Sequence, residues 1–526
     1  MITSLNGNGN RQMTYKLILI YMKRKYIATF LLGLALTGCS KDFLTVIPET
    51  ALSSATFFKS EADFQQAVNG AYVPFRQMYN ERAWVLEEMH SDNTYYARNT
   101  LYGAVDPTEN VADFAVPTAN GVTANDNVLV QYRLNYVIIA RANQILSLID
   151  GTGITFSSEA LKNNLKGQAL FLRAFAYFDL VRLFGKVPLH LIPITGREDA
   201  ALPLSTTEEI YAQIEKDALA ASTALPNRAT QELGRATSGA AKTLLANLYV
   251  TQKKWAQAEV QLKSVVTNDG YMLMPDYNDA FSFTSTNKNN RESIFEIQYM
   301  EGSAGYNGNQ IYRFLPSPIT ALEIAPITGT SNPQPTSQES NNIPTPDLIA
   351  AYEAGDKRKD ISIGYVTLSG SLRADKKYPY IKKYARVHSL NQNTGQNWPV
   401  YRYAEVLLFL AESLNEQGKA GEAAPYLNRV RERAGLAATT ASSQATMREA
   451  IFKERRVELA FENKRWFDLT RTGRVKEIIG AYGAKVKANP AAYYFPAGAV
   501  PPPNAFTVLD DYYGLPAVEA ALTPNF

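Results

Sequence analysis

"IFKERRVELAFENKRWFDLTRTG", Ile451 to Gly473, crowds acidic and basic side chains between large apolar ones. Read as a helix, it sets Glu458 and Glu462 one turn apart, with Arg455, Arg465 and Asp468 close by. A carboxylate pair raises the question of glycoside hydrolysis, which needs two carboxyl groups flanking a scissile bond. Groups at i and i+4 instead stand side by side on one helix face, and arginine forks bind such carboxylates in pairs. The stretch therefore predicts scaffold, with guanidinium groups tying helices together. The same reasoning covers "GQALFLRAFAYFDLVRLFGKVPL", Gly167 to Leu189, where Arg173 and Asp179 accompany the core residues Leu172, Phe175 and Leu183.

Helical periodicity continues outward from these two stretches. "EADFQQAVNGAYVPFRQMY" places Phe64, Val68, Tyr72, Phe75 and Tyr79 at steps of three and four, which gives one apolar stripe. "LNYVIIARANQILSLI" reads the same way, and the helix through Phe178 stops at Gly185 with Pro188 just beyond. Two later segments repeat one spacing: Ala246, Ala258 and Leu262 match Ala411, Ala423 and Leu427 in their intervals of twelve and four. Small residues there let two helices approach closely, as in tetratricopeptide hairpins, although two unrelated hairpins with ordinary packing needs would show the same spacing.

Between the helical blocks, residues 91–124 and 277–346 are rich in Asn, Gly, Ser, Thr and Pro, too long for plain connections. "SIFEIQY", Ser293 to Tyr299, reads as a short strand inside the second. The predicted fold is mostly α: a tetratricopeptide-like helical-repeat scaffold (55–90, 130–270 and 400–475) carrying a loop-rich, strand-poor second lobe (mainly 91–124 and 277–400).

Composition removes several function classes. Fifty-three basic and 50 acidic side chains give a net charge of +3, so no nucleic-acid partner is expected. The three histidines, His90, His190 and His388, lie far apart, and with one cysteine this predicts neither a metal centre nor any other cofactor. The lone Cys39 closes "LALTGC" after Lys23, Arg24, Lys25 and the apolar run Tyr26 to Leu36. That order reads as a secretory signal, and Leu-x-Gly-Cys resembles a bacterial lipobox whose cysteine carries the lipid. A membrane helix over 17–36 would bury three charges in hydrocarbon. Residues 1–38 are thus read as an upstream extension and lipoprotein signal peptide, with Met22 the better start, and 39–526 as one domain.

The two long signatures, together with "ATFFKSEADFQQAVNGAY", "YRYAEVLLFLAESLNE" and the ending "LPAVEAALTPNF", resemble the SusD/RagB family of nutrient-binding outer-membrane lipoproteins. The chain departs from the family pattern near its end, where Leu515, Pro516, Glu519 and Thr523 to Asn525 stand in place of a Pro-Ile-Pro, a Glu and an Asn-Pro. The resemblance implies a SusD-like fold, lipid-anchored in the outer membrane and facing the cell exterior. It also implies an oligosaccharide ligand, a SusC-like TonB-dependent transporter as partner, and no catalytic duty.

A sugar offers polar edges and a face of C–H groups, so its capture calls for an aromatic plane beside Asp, Asn, Gln or Arg. The loop "SDNTYYARN" offers Asp92, Asn93, Tyr95, Tyr96, Arg98 and Asn99. "GYNGNQIYRF" adds Tyr306, Asn307, Asn309, Gln310, Tyr312 and Arg313, and Trp398 is a further platform. For each ring the alternative is a residue pinning its loop to the scaffold, and Asp92 is equally suited to capping backbone amides. The competing functions are a surface-anchored glycoside hydrolase and a protein-assembly scaffold without a small ligand.

Overall fold

The stripe from Phe64 to Tyr79 lies on one helix, Glu61–Glu81 (α1), started by a capping box between Ser60 and Asp63. A computed structural model of the chain describes residues 57–97, 107–116, 118, 120–151, 153–281, 287–335, 340–369 and 376–524. The proposed signal peptide, Met22 and Cys39 lie outside these, as do Arg98 and Asn99. By contact the chain divides into Met1–Lys59 and Ser60–Phe526, and the fold is that of the second unit.

Helices Asp126–Leu148 (α2) and Glu159–Phe184 (α3) pack against α1 and each other, and Thr207–Ala224 (α4) packs on α3. The stop after α3 is Gly185 at φ 70, a conformation that costs glycine nothing. The repeated spacing corresponds to two matched hairpins: Ser238–Thr251 (α5) with Trp255–Asn268 (α6), and Tyr403–Glu416 (α7) with Ala420–Arg433 (α8). All six repeated positions are fully buried. Although far apart in sequence, the hairpins stack, α6 lying against α7. Helices Gln444–Glu458 (α9), Arg465–Arg471 (α10) and Val475–Ala488 (α11) complete the scaffold.

The second lobe is strand-poor, and among the described residues every sheet has two strands. Ser293–Ile297 (β1), the predicted strand, pairs antiparallel with Trp398–Arg402 (β4); Ile363–Leu368 (β2) pairs with Lys376–Ile381 (β3). Ile311, Leu315, Ile319, Ile343 and Leu368 form the lobe's apolar centre. The unusual tail is packed: Leu515 and Pro516 pair in parallel with Val122 and Thr123, and Glu519 accepts from Arg133 at 2.6 Å.

One expectation about the opening stretch is corrected. Helix α9 ends at Glu458, because Phe461 and Asn463 turn into positive φ, so Glu462 sits in the following turn and not on the same helix face. The two carboxylates still meet, across Arg402. Its Nη1 donates to Glu458 (2.9 Å) and Glu292 (2.5 Å), and its Nη2 and Nε donate to Glu462 (2.7 and 2.8 Å). Arg433 reaches Glu458 at 2.6 Å and Glu292 at 3.0 Å. Arg358 adds Asp356 (2.7 Å), Glu454 (2.6 Å) and Glu458 (3.0 Å), and Lys383 holds Glu462 at 2.9 Å. Burial opposes the charge on Glu458, yet Arg433, Arg402 and Arg358 hold its carboxyl far below the usual range. With both glutamates inaccessible and saturated by cations, this pair cannot flank a substrate.

Replacing Glu458 with alanine leaves three buried guanidinium groups short of a partner and should cost about 3–5 kcal/mol, read from the urea midpoint. Asp468 supplies a pH test. Burial opposes its charge, but Arg455 (2.9 Å) and Arg471 (2.7 Å) hold its carboxyl down at about 2. A depressed carboxyl contributes stability that is complete above its free value of 3.8 and lost as pH falls toward 2. The urea midpoint should therefore drop over that window, and Asp468→Asn should flatten the drop while lowering the midpoint at neutral pH.

Candidate functional site

Residues 91–97 of the first polar-aromatic loop belong to the interior, which corrects the expectation for Asp92, Asn93, Tyr95 and Tyr96. A π-helical turn, Val85–Met89, follows α1 and packs against α10, and the chain just beyond it meets Arg456 of α9. Asp92 is buried against Arg465 (2.7 Å) and Arg456 (2.8 Å). Burial works against its charge, but these two guanidinium groups keep its carboxyl well below the ordinary range. Asn93 donates to Glu88 (3.0 Å) and accepts from Arg456 (2.9 Å). Tyr95 and Tyr96 stack on each other, 4.4 Å between centroids, and both hydroxyls donate to Asp113. Such groups carry structure and offer no edge to a ligand in solution.

Two further predicted platforms are also inside. Trp398 is 1% exposed and lies face to face with Tyr384 at 4.6 Å. Tyr312 is buried with its hydroxyl 2.8 Å from Nε2 of His388, and Gln310 is buried beside it.

Tyr306 is different: it is 43% exposed. Its loop is held as a clip, since Met300 N donates to Tyr306 O (2.8 Å) and Gly302 exchanges hydrogen bonds with the Asn393 side chain (2.8 and 3.0 Å). Gly308 and Thr394 exchange a backbone pair, both 2.9 Å. Gly302 and Gly305, at φ 130 and 74, allow the reversal. Glu301 anchors the other side by accepting from the Ser389 hydroxyl (2.5 Å) and from the amides of Ser389 and Leu390 (both 2.8 Å). Burial alone would raise its carboxyl, but these donors lower it.

Neighbours complete a polar strip around the ring. The Arg76 guanidinium carbon lies 4.4 Å from the Tyr306 centroid, a cation–π contact. Asn80 Oδ1 accepts from Asn309 N (2.9 Å), and Asn309 Oδ1 accepts from Arg313 Nε (3.2 Å). Asn307 donates to Gln392 O at 3.3 Å. The backbone of Arg313 meets Asn341, and Ala97 meets Ser340. The structure thus brings Tyr306, Asn307, Asn309 and Arg313 together. Arg76 and Asn80 come from α1 and escaped sequence reading. Their one signal is their spacing of four, which sets them off the apolar stripe.

A cavity of about 500 Å³ elsewhere, lined by Tyr132, Tyr136, Ile139, His190, Ile192 and Leu522, suits sugar poorly. Two of its polar side chains are already engaged: Tyr136 donates to Pro188 O (2.7 Å), and Asn143 donates to His190 O (2.9 Å) and accepts from Arg173 (2.8 Å). Among the described residues no group of three or more His, Cys, Asp and Glu is placed to hold a metal ion, and no helix is long and apolar enough to cross a membrane.

The two classes of aromatic separate by mutation. Asp92→Ala strands Arg465 and Arg456 and should destabilise the chain by about 3–5 kcal/mol. Tyr306→Ala should leave the urea midpoint within about 0.5 kcal/mol of wild type, as expected for an exposed side chain.

Comparison with known proteins agrees with the fold. Residues 355–525 match the SusD family, and residues 42–250 match a SusD-like family described as starch-binding and associating with the outer membrane. SusD-like protein P2 of Formosa agariphila is 30% identical over 89% of this chain and 94% of its own length. Among solved structures, a laminarin-binding SusD-like protein superposes with a TM-score of 0.69 at 25% identity, covering 89% of this chain and all of the other. Surface glycan-binding protein A of Bacteroides thetaiotaomicron, solved with laminarihexaose, superposes at 0.68 with 20% identity over 88% of this chain and 98% of its own. With a helical-repeat scaffold, a strand-poor lobe and a relative of this similarity along nearly its whole length, the chain belongs to the SusD family.

Proposed function

We propose that this protein is a cell-surface glycan-binding lipoprotein, which captures oligosaccharide and passes it to a TonB-dependent transporter without altering it. The observation that carries the reading is the exposed Tyr306 ring, clipped rigidly in place beside the amides of Asn80, Asn307 and Asn309 and the guanidinium groups of Arg76 and Arg313. An aromatic plane supplies stacking for sugar C–H groups, and the amides and guanidinium groups supply hydroxyl partners. Fixed loops keep the ordering cost of binding low. Solved family members that bind laminarin or carry laminarihexaose support the ligand class. The signal-like segment ending at Cys39 supports lipid anchoring, with residues 39–526 as the exported domain.

Calorimetric titration against a glycan panel, with a reducing-end assay alongside, tests this. Binding without release of shorter products is expected, and Tyr306→Ala should weaken it about tenfold, the loss of one stacked ring contact. Chain shortening by the purified protein would overturn the reading. So would unchanged affinity in Tyr306→Ala.

A further inference from the structure

Arg76 differs from the arginines of the buried ion-pair lattice. Arg358, Arg402, Arg433, Arg455 and Arg471 are each sunk among carboxylates. Arg76, half-buried on α1, has its backbone oxygen held by the Tyr299 hydroxyl at 2.8 Å, but its guanidinium has no ion pair or hydrogen bond among the described residues. Its contact is with the Tyr306 ring, and its five N–H donors have no partner among the described residues. The nearby carboxylates are otherwise engaged: Glu81 accepts from Gln77 (3.3 Å), and Glu301 takes the three donors of Ser389 and Leu390. Beside Arg76 opens a recess of about 100 Å³ edged by Asn69 and Gln298. The carboxylate there, Glu296, is turned to Asn289 N (2.7 Å), Ser293 Oγ (2.8 Å) and Asn397 Nδ2 (2.7 Å).

A planar guanidinium seated against an aromatic ring of sugar size, with unpaired donors, matches an oxyanion. Carboxylate and sulfate both take two parallel N–H donors, and charge-assisted bonds of this kind are roughly twice as strong as neutral ones. A neutral sugar would use one or two of these donors but brings no negative charge to pair with the guanidinium. We infer that the glycan taken at this face is acidic, its carboxylate or sulfate pairing with Arg76 while the adjoining pyranose rests on the exposed part of Tyr306. This rests on the glycan-binding reading and narrows it to a substrate class.

The test titrates the full chain with laminarihexaose, hexagalacturonate and a sulfated galactan hexasaccharide at low and high salt. At least one acidic probe should bind about tenfold more tightly than laminarihexaose at low salt, with the advantage shrinking as salt rises. Which acidic probe wins distinguishes carboxylate from sulfate. Arg76→Gln should erase the advantage by weakening the acidic probe about tenfold more than it weakens laminarihexaose, and Arg76→Lys should retain part of it. Equal or tighter binding of the neutral probe, or an Arg76→Gln loss equal for all three, would overturn the inference and leave glycan binding intact. If none of the three binds, while Arg76→Gln keeps the wild-type urea midpoint, the glycan-binding reading fails and the inference with it.

Discussion

Glu458 is the point on which the architecture turns. It lies fully buried, one carboxylate among Arg358, Arg402 and Arg433, and no part of that cluster would be stable alone in a medium of low dielectric. The partners come from different places: Arg402 ends β4, Arg433 ends α8, Arg358 and Lys383 belong to the second lobe, and Glu458 ends α9. The requirement that each charge find its counter-charge thereby fixes the lobe against the helical hairpins. Apolar burial supplies the greater stabilisation, but it is tolerant of small slides. A lattice of forked ion pairs at 2.5–3.0 Å is not.

That rigidity reaches the surface through β4. Its first residue, Trp398, packs on Tyr384 and is 6.1 Å from Tyr79 of α1, the helix that presents Arg76 and Asn80. β4 also pairs with β1, whose chain continues through Tyr299 to the Tyr306 clip. The two sides of the polar strip, one from a scaffold helix and one from a loop of the lobe, are therefore positioned from the same interior. A polar face assembled this way needs no large rearrangement to accept the glycan proposed for it.

Much of this was legible in the chain. Periodicity placed the helices, the repeated alanine and leucine intervals marked two hairpins that stack, and the mix of arginine and carboxylate in Ile451 to Gly473 read correctly as scaffold. The helix stop inside that stretch was not legible, since nothing local announces that Phe461 and Asn463 adopt positive φ. The loop "SDNTYYARN" misled for a clear reason. In its described part, 91–97, the polar tips are satisfied from within the fold, Asp92 by Arg465 at a separation of 373, so residue types typical of a wet surface sit in the interior. Conversely Arg76 was hidden by an ordinary helical context, because the ring it covers, Tyr306, lies far along the chain.

Hydrogen exchange with and without bound glycan measures the central claim most directly. The account predicts slowed exchange confined to the C-terminal half of α1 and to residues 299–314 and 388–396, with the paired hairpins α5 to α8 unchanged. Protection centred on those hairpins or on the cavity beside Tyr136, with residues 299–314 unaffected, would contradict it.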